Sequence, residues 1–376
     1  MGVLGTGYAG KSKTLKRKNK GAKKNRAALW VFFFFAVISI TAVCCYLSYN
    51  YVVGKAGSRN EAREITISPG EGIYVEIPRG AGTSAIAEIL KEKGIIKNTY
   101  IFRLLSMING YDSLYRSGTH ILSDKLSYED VMRVLSSNPI TVKVTIPEGY
   151  NVKQIAEVLE KKGLADEDKF FDALSSGQFD YKFLKDLPKR DNRLEGYLFP
   201  DTYEFDLKAG EKEIIDRMLA NFNAKFKPEY YEKAKSMGMT VDQIVILASI
   251  IEREARRPEE TDKIAGVFYN RLKSKDQTLR RLQSCATIQY IFYMREGTVK
   301  EKITEADTKV ESPYNTYIIE GLPPGPICCP GENSIKSALF PEEHDYLYFV
   351  ARGDGTHEFS RTYAEHQAAQ RKYGVR

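Results

Sequence analysis

The chain has 376 residues, 43% hydrophobic and 28% charged, with 28 Gly, 14 Pro and 5 Cys. That composition is ordinary for folded protein, allows two or three domains, and excludes collagen-like, disordered and disulfide-scaffold classes. The formal net charge of +7 is not spread evenly: residues 1–60 hold eleven Lys/Arg and no acid, and the remainder carries 45 basic and 49 acidic side chains. A nucleic-acid-binding fold carries its basic surface on the folded part, so no nucleic-acid partner is expected.

Residues 1–26 form a basic arm, with nine Lys/Arg between Lys11 and Arg26. No charge follows from Ala27 to Gly54. A stretch of about 20 apolar residues spans a bilayer, so residues 27–53 read as a single transmembrane anchor. Trp30 at one end and Tyr46, Tyr49 and Tyr51 at the other resemble interfacial aromatic belts. Positive charge before the span predicts a cytoplasmic N-terminus and an extracytoplasmic remainder. A cleaved signal peptide would have a shorter apolar region and a small-x-small cleavage site, and Val43 stands where Cys44 would need a small neighbour. Cys285, Cys328 and Cys329 follow the span without CxxC spacing. Neither a zinc site nor a disulfide framework is indicated, although one bridge from Cys285 to the pair is compatible with the sequence.

Residues 54–73 read as a tether. Over 74–190 a duplication appears: Ile77-Pro78-Arg79-Gly80 returns as Ile146-Pro147-Glu148-Gly149, and the spacing of 69 carries on through Ile86/Ile155, Leu90/Leu159, Gly94/Gly163 and Phe102/Phe171. Eleven of 28 aligned positions are identical, where chance gives one or two. Each unit reads as strand, Pro-x-Gly turn and helix, with a second helix after it (Thr99–Ile108; Asp166–Ser175). Such a unit resembles the LysM module, which binds N-acetylglucosamine-containing glycans; a duplicated packing unit without ligand reads equally well from the residues.

The texture changes near Arg193, and 191–376 is expected to form a mixed α/β domain. Thr240 and Gln243 make a capping box before a helix over 241–256, with Pro258 just beyond. Five Pro and three Gly predict an irregular loop over 313–331, Tyr346–Val350 a strand, and 361–373 a closing helix. The chain lacks HExxH, GxSxG and P-loop motifs, and its four His are dispersed, so zinc-hydrolase, serine-hydrolase and nucleotide chemistries are discarded. The predicted helix 241–256 stands out because an apolar run, Ile244 to Ile251, leads straight into Glu252, Arg253 and Glu254. A carboxyl at the mouth of an apolar helix loses solvation, which raises its pKa and suits it to proton donation. Spacing alone does not choose between the two glutamates, and both also read as the point where the helix meets water.

Leu247-Ala248-Ser249-Ile250-Ile251-Glu252-Arg253-Glu254 is similar to the signature of the MltG (YceG-like) endolytic murein transglycosylases. Leu194-Glu195-Gly196-Tyr197-Leu198-Phe199-Pro200-Asp201, Val267-Phe268-Tyr269-Asn270-Arg271-Leu272, Leu282-Gln283-Ser284, Ser312-Pro313-Tyr314-Asn315-Thr316-Tyr317, Gly321-Leu322-Pro323-Pro324-Gly325-Pro326-Ile327 and Tyr346–Val350 follow in the family's order. The resemblance implies an α+β fold: a single N-terminal transmembrane helix, LysM-like units, then the catalytic domain. It implies Glu252 as acid/base, a glycan groove with Glu195, Tyr197, Gln283, Ser284, Asn315 and Tyr317 as candidates, and no metal or cofactor. Two departures stand out. Cys285 occupies a position usually filled by Asp or another polar residue, and Cys328-Cys329 one usually filled by a polar residue and Asn. The implied reaction cleaves the MurNAc–GlcNAc β-1,4 bond of nascent peptidoglycan to leave 1,6-anhydroMurNAc ends and to stop strand growth. Implied partners are glycan strands, glycan polymerases (penicillin-binding proteins) and, through the anchor, membrane lipid. Two rivals stay open: a non-catalytic glycan-binding scaffold, and a muramidase using Glu195 or Asp201 as second carboxylate.

Overall fold

A computed structural model of the chain describes residues 21–57 and 72–374. The basic arm as far as residue 20, and residues 58–71 of the expected tether, lie outside the described residues. Among the described residues two compact units are distinguished, 21–57 with 107–110, and 72–106 with 111–374. In the first, α1 (Gly21–Gly57) is one unbroken helix. Its segment Leu29–Tyr51 is apolar over 23 residues with no side chain buried, which is long enough to cross a bilayer.

After α1 come β1 (Ile73–Ile77), α2 (Thr83–Glu92), α3 (Thr99–Ile108), whose last residues belong to the first unit, β2 (Gly118–Leu122) and α4 (Tyr128–Ser136). β1 and β2 pair antiparallel, Val75 opposite His120, so the first repeat closes as strand–helix–helix–strand. Alternation along β1 turns Val75 and Ile77 inward, where they meet Ile86, Leu90, Phe102, Leu122, Val131 and Leu135 in a core of their own. The second repeat has the same order: β3 (Thr141–Thr145), α5 (Val152–Lys161), α6 (Glu167–Ser176) and β4 (Thr202–Asp206). Here too the outer strands pair antiparallel, Val144 opposite Tyr203. Gly80 and Gly149 take φ of +76° and +79° in matching turns, the left-handed conformation that keeps glycine in both Pro-x-Gly sequences.

Then follow α7 (Glu211–Lys225), α8 (Pro228–Ser236), α9 (Val241–Glu254), α10 (Thr261–Leu272), α11 (Gln277–Arg280), α12 (Cys285–Glu296), α13 (Glu332–Leu339), the antiparallel pair β5 (Tyr348–Ala351) and β6 (His357–Ser360), and α14 (Tyr363–Tyr373). The result is a mixed α/β fold in which α9 is the central helix, packed against α8, α10, α12 and α13.

Two expectations need correction. A boundary at residue 190 cuts through one core, because β4 completes the second repeat and Val144, Ile155, Phe170 and Phe205 share a single cluster with Ile214, Leu247, Ile264 and Leu339. The separation of cores falls before β3 instead. Phe102 corresponds to Phe170, not Phe171: α3 begins at Thr99 and α6 at Glu167, an offset of 68, because the loop before α6 is one residue shorter.

Leu90 is fully buried in the first repeat's own core. Leu90→Ala should cost about 2–5 kcal/mol, the range for such core truncations. Hydrogen exchange should accelerate across residues 73–136 while the amides of α9 and α13 keep their protection; equal loss in both regions would show one shared core.

Candidate active site

Helix α9 brings the two glutamates into place. Thr240 Oγ1 accepts from the Gln243 N–H at 3.1 Å, and the Gln243 side chain accepts from the Thr240 N–H at 2.9 Å, so the capping box forms. In the first turn Asp242 is gripped by Arg190 through two bonds, Nη1 to Oδ2 at 2.6 Å and Nη2 to Oδ1 at 2.8 Å. Tyr197 donates its hydroxyl to Asp242 Oδ1 at 2.8 Å. Every residue from Ile244 to Ile251 is buried. Midway, Ser249 Oγ accepts from the Ile327 N–H at 3.0 Å, and the Cys328 thiol donates to the Ser249 carbonyl at 3.3 Å. These bonds hold the irregular segment 321–331 against the helix.

At its last turn the helix presents the glutamates to different neighbours. Glu252 Oε2 accepts from the Gly331 N–H at 3.0 Å. Gly149, in the second repeat's turn, lies beside it: a Cβ there would stand 3.7 Å from Glu252 Cγ. Glu148 comes to the same spot, since a Cβ on Gly331 would overlap its carboxylate. Desolvation, and then the Glu252 charge, hold the Glu148 carboxyl above its ordinary value.

Glu254 turns to a cavity of about 480 Å³. Burial pushes its carboxyl up, against the lowering influence of the Ser284 hydroxyl, the Ala286 N–H, His357 and Arg253. The Ser284 hydroxyl donates to Glu254 Oε1 at 2.5 Å. The far wall comes from β5, β6 and α14, which contribute Tyr348, His357, Tyr363 and His366. His357 Nδ1 is paired with Glu260 at 2.7 Å.

Three of the residues expected in the groove meet in this cavity: Gln283, Ser284 and Tyr317. Gln283 has φ of +53°, a left-handed conformation that costs a non-glycine residue energy. It is held there by its N–H on the Thr316 carbonyl at 3.0 Å and by Arg271 Nη2, which donates to Gln283 Oε1 at 2.9 Å. Tyr317 Oη lies 3.0 Å from Cys285 Sγ. Cys285 is an exposed free thiol and Cys328 and Cys329 are buried free thiols, so the bridge compatible with the sequence is not formed.

The other candidates sit apart from the cavity. Glu195 is 1% exposed and its carboxylate accepts from the Val152 N–H at 3.1 Å and the Tyr290 hydroxyl at 3.4 Å. Tyr197 is wholly enclosed and spends its hydroxyl on Asp242. Asn315, also enclosed, donates to the carbonyls of Thr308 at 2.9 Å and Val310 at 2.7 Å. Asp201 accepts from the Asn221 amide at 2.9 Å and the Thr202 N–H at 2.7 Å, which hold its carboxyl below its ordinary value. Sequence reasoning read Glu148 only as part of a turn; it counted Tyr346–Val350 among the motifs of the resemblance but did not foresee β6 and α14 beside it in the cavity wall.

The YceG-like family model matches residues 75–372. The chain is 32% identical over 314 residues to a Bacillus subtilis protein named endolytic murein transglycosylase, covering 80% of this chain and 84% of that one. It is 31% identical over 350 residues to a protein of the same name from Streptococcus pneumoniae, covering 86% of this chain and 61% of that longer protein. A crystal structure of a yceG-like protein from Listeria monocytogenes superposes with a TM-score of 0.53 at 32% identity, covering 80% of this chain and 99% of that one.

Burial raises the Glu195 carboxyl from its ordinary 4.5 to about 8. Folding therefore retains a proton between those values, so this group's contribution is full below about pH 4.5 and is lost as the pH rises towards 8. The unfolding temperature of Glu195→Gln should fall less than that of wild type from pH 5 to 8. Parallel slopes for the two proteins would show that Glu195 ionises within the fold as readily as in water.

Proposed function

The chain belongs to the YceG-like family, and on that premise we propose that it is a membrane-anchored peptidoglycan lytic transglycosylase that cuts within glycan strands. The observation that carries the reading is Glu254, whose carboxyl burial shifts above its ordinary value, at the wall of a cavity that Gln283, Ser284 and Tyr317 also line. Proton donors of this kind need a raised pKa and an open face. Glu254 has both, and we propose it as acid/base in place of Glu252, the residue the resemblance implies, whose side chain is not among those lining this cavity.

In the proposed reaction the Glu254 carboxyl gives its proton to the glycosidic oxygen between N-acetylmuramic acid and N-acetylglucosamine, and the C1–O bond breaks. The resulting carboxylate takes the proton of the muramyl C6 hydroxyl, and O6 closes on C1 to form the 1,6-anhydro ring. The proton returns to Glu254 and no water is consumed. A water-using muramidase needs two carboxylates flanking the bond. Among the described residues that line the cavity, Glu254 is the sole carboxylate, which supports the one-carboxylate route. Tyr317 and Tyr363 line the cavity and suit packing against sugar rings, while Tyr348 stacks on His366.

We take α1 as the anchor, with the basic arm cytoplasmic by the positive-inside rule and the catalytic region outside. That position suits nascent strands as substrate, termination of their growth as outcome, and glycan polymerases at the same membrane face as partners. The LysM-like resemblance of the repeats supports glycan contact beyond the cavity.

Glu254→Gln keeps size and hydrogen bonding while removing the transferable proton. The full chain carrying it should lose about 10²–10⁴-fold in rate, the usual worth of general acid–base catalysis, and Glu252→Gln should lose much less. The reverse order would return the role to Glu252. Mass spectra of wild-type products should show ends lighter by one water and resistant to borohydride; reducible ends would establish a hydrolase.

A further inference from the structure

Helix α3 carries apolar side chains that the first repeat's core does not use. Thr99, Phe102 and Ser106 face the first repeat's core, while Tyr100 is 79% exposed, Met107 64%, Leu104 and Ile108 52% each and Ile101 47%. Scattered exposed apolar residues are normal, but a contiguous set on one helix face marks a contact.

The duplication supplies an internal control. With the offset of 68 between α3 and α6, the buried Phe102 and Ser106 correspond to the buried Phe170 and Leu174. The five exposed apolar positions correspond to Asp168, Lys169, Asp172, Ser175 and Ser176, all exposed. The same helix, in the same kind of unit, is polar at every one of these positions where it meets water. The apolar face of α3 is therefore a property of this copy, not of the architecture.

What covers it follows from the chain. From Lys93 to Tyr111 the charged residues are Lys93, Lys97 and Arg103, with no acid among them. A helix with an exposed apolar face that includes a tyrosine, and with Arg103 its one charge and no acid in its span, has the composition of one that lies in the membrane interface, attracted by anionic headgroups. Fifteen residues separate α1 from β1, a segment that at about 3.4 Å per residue reaches no farther than roughly 55 Å. The repeat carrying α3 is the first to follow the span.

We propose that α3 docks on the bilayer, inserting Tyr100, Ile101, Leu104, Met107 and Ile108 at the headgroup boundary. The docking rests on the reading of α1 as a membrane anchor.

The sole tryptophan, Trp30, permits a test that separates the two. The full chain is reconstituted in phosphatidylcholine/phosphatidylglycerol vesicles with and without brominated acyl chains, which quench indole fluorescence by contact. Wild type reports the anchor through Trp30, and Trp30→Phe with Tyr100→Trp reports α3. Trp30→Phe with Val299→Trp, 58% exposed on the catalytic region, serves as the control. Docking predicts at least about twofold quenching of the indole at position 100, little at 299, and loss of the former when Leu104→Asp is added. Quenching of Trp30 with no more at position 100 than at 299 overturns the docking and leaves the anchor standing, and would assign the face to a protein partner. An unquenched Trp30 overturns the anchor and the docking with it.

Discussion

A helix buried on every side cannot turn about its axis without opening its surroundings, and that constraint on α9 governs the site. Ile244 to Ile251 are packed all round, so the azimuth of the final turn is set by the core. Residues two apart on a helix point about 200° apart. Glu252 and Glu254 are thereby sent to opposite sides, one to the Gly331 N–H and the other to the cavity. At the other end of the helix the Arg190–Asp242–Tyr197 cluster does the complementary work. Its ion pair is nearly excluded from water, and breaking such a pair from one side leaves a buried charge, a loss of about 3–5 kcal/mol. The helix is held against sliding as well as turning.

The irregular segment 321–331 is ordered by what it touches. Ser249 fixes Ile327 and Cys328. Cys329 exchanges two backbone bonds with the second repeat, its N–H to the Tyr150 carbonyl at 2.8 Å and its carbonyl from the Gly149 N–H at 3.0 Å. The Cys329 bonds are made by its backbone and need no particular side chain, whereas at position 328 the thiol itself supplies the bond to Ser249. The Cys329 side chain is enclosed beside Glu195, and burial pushes both buried thiols far above their ordinary range. Neither is a nucleophile at neutral pH.

Much of this was legible in the sequence where the determinants are local. The Thr240/Gln243 box, the positive-φ glycines at 80, 94 and 149 and the internal repeat all act within a few residues, and they mark the helices and turns correctly. The pairing of β3 with β4 depends on contacts across about sixty residues, and no local pattern announces it, so the core was divided at the wrong place. Spacing left the choice between Glu252 and Glu254 open, with the resemblance implying Glu252, for a related reason: both occupy the same helix end, and what differs is the set of elements packed around each. Glu195 has the residue type of a reacting carboxylate. Only the fold reveals that its partner is a backbone N–H of α5, which makes it a core hydrogen-bond acceptor.

The two repeats share a topology and differ in ownership of their cores: the first keeps its own, and the second is fused with the site. That asymmetry has a mechanical meaning. Tension applied through the N-terminal end of β1 meets a small independent core before it reaches the large one. β1 has a single partner strand and packs through Val75 and Ile77 into that small core, so the first repeat can open without breaching the larger one. A load between a fixed end and a held substrate would be absorbed by extension of some sixty residues of chain, with α9 and the cavity geometry undisturbed.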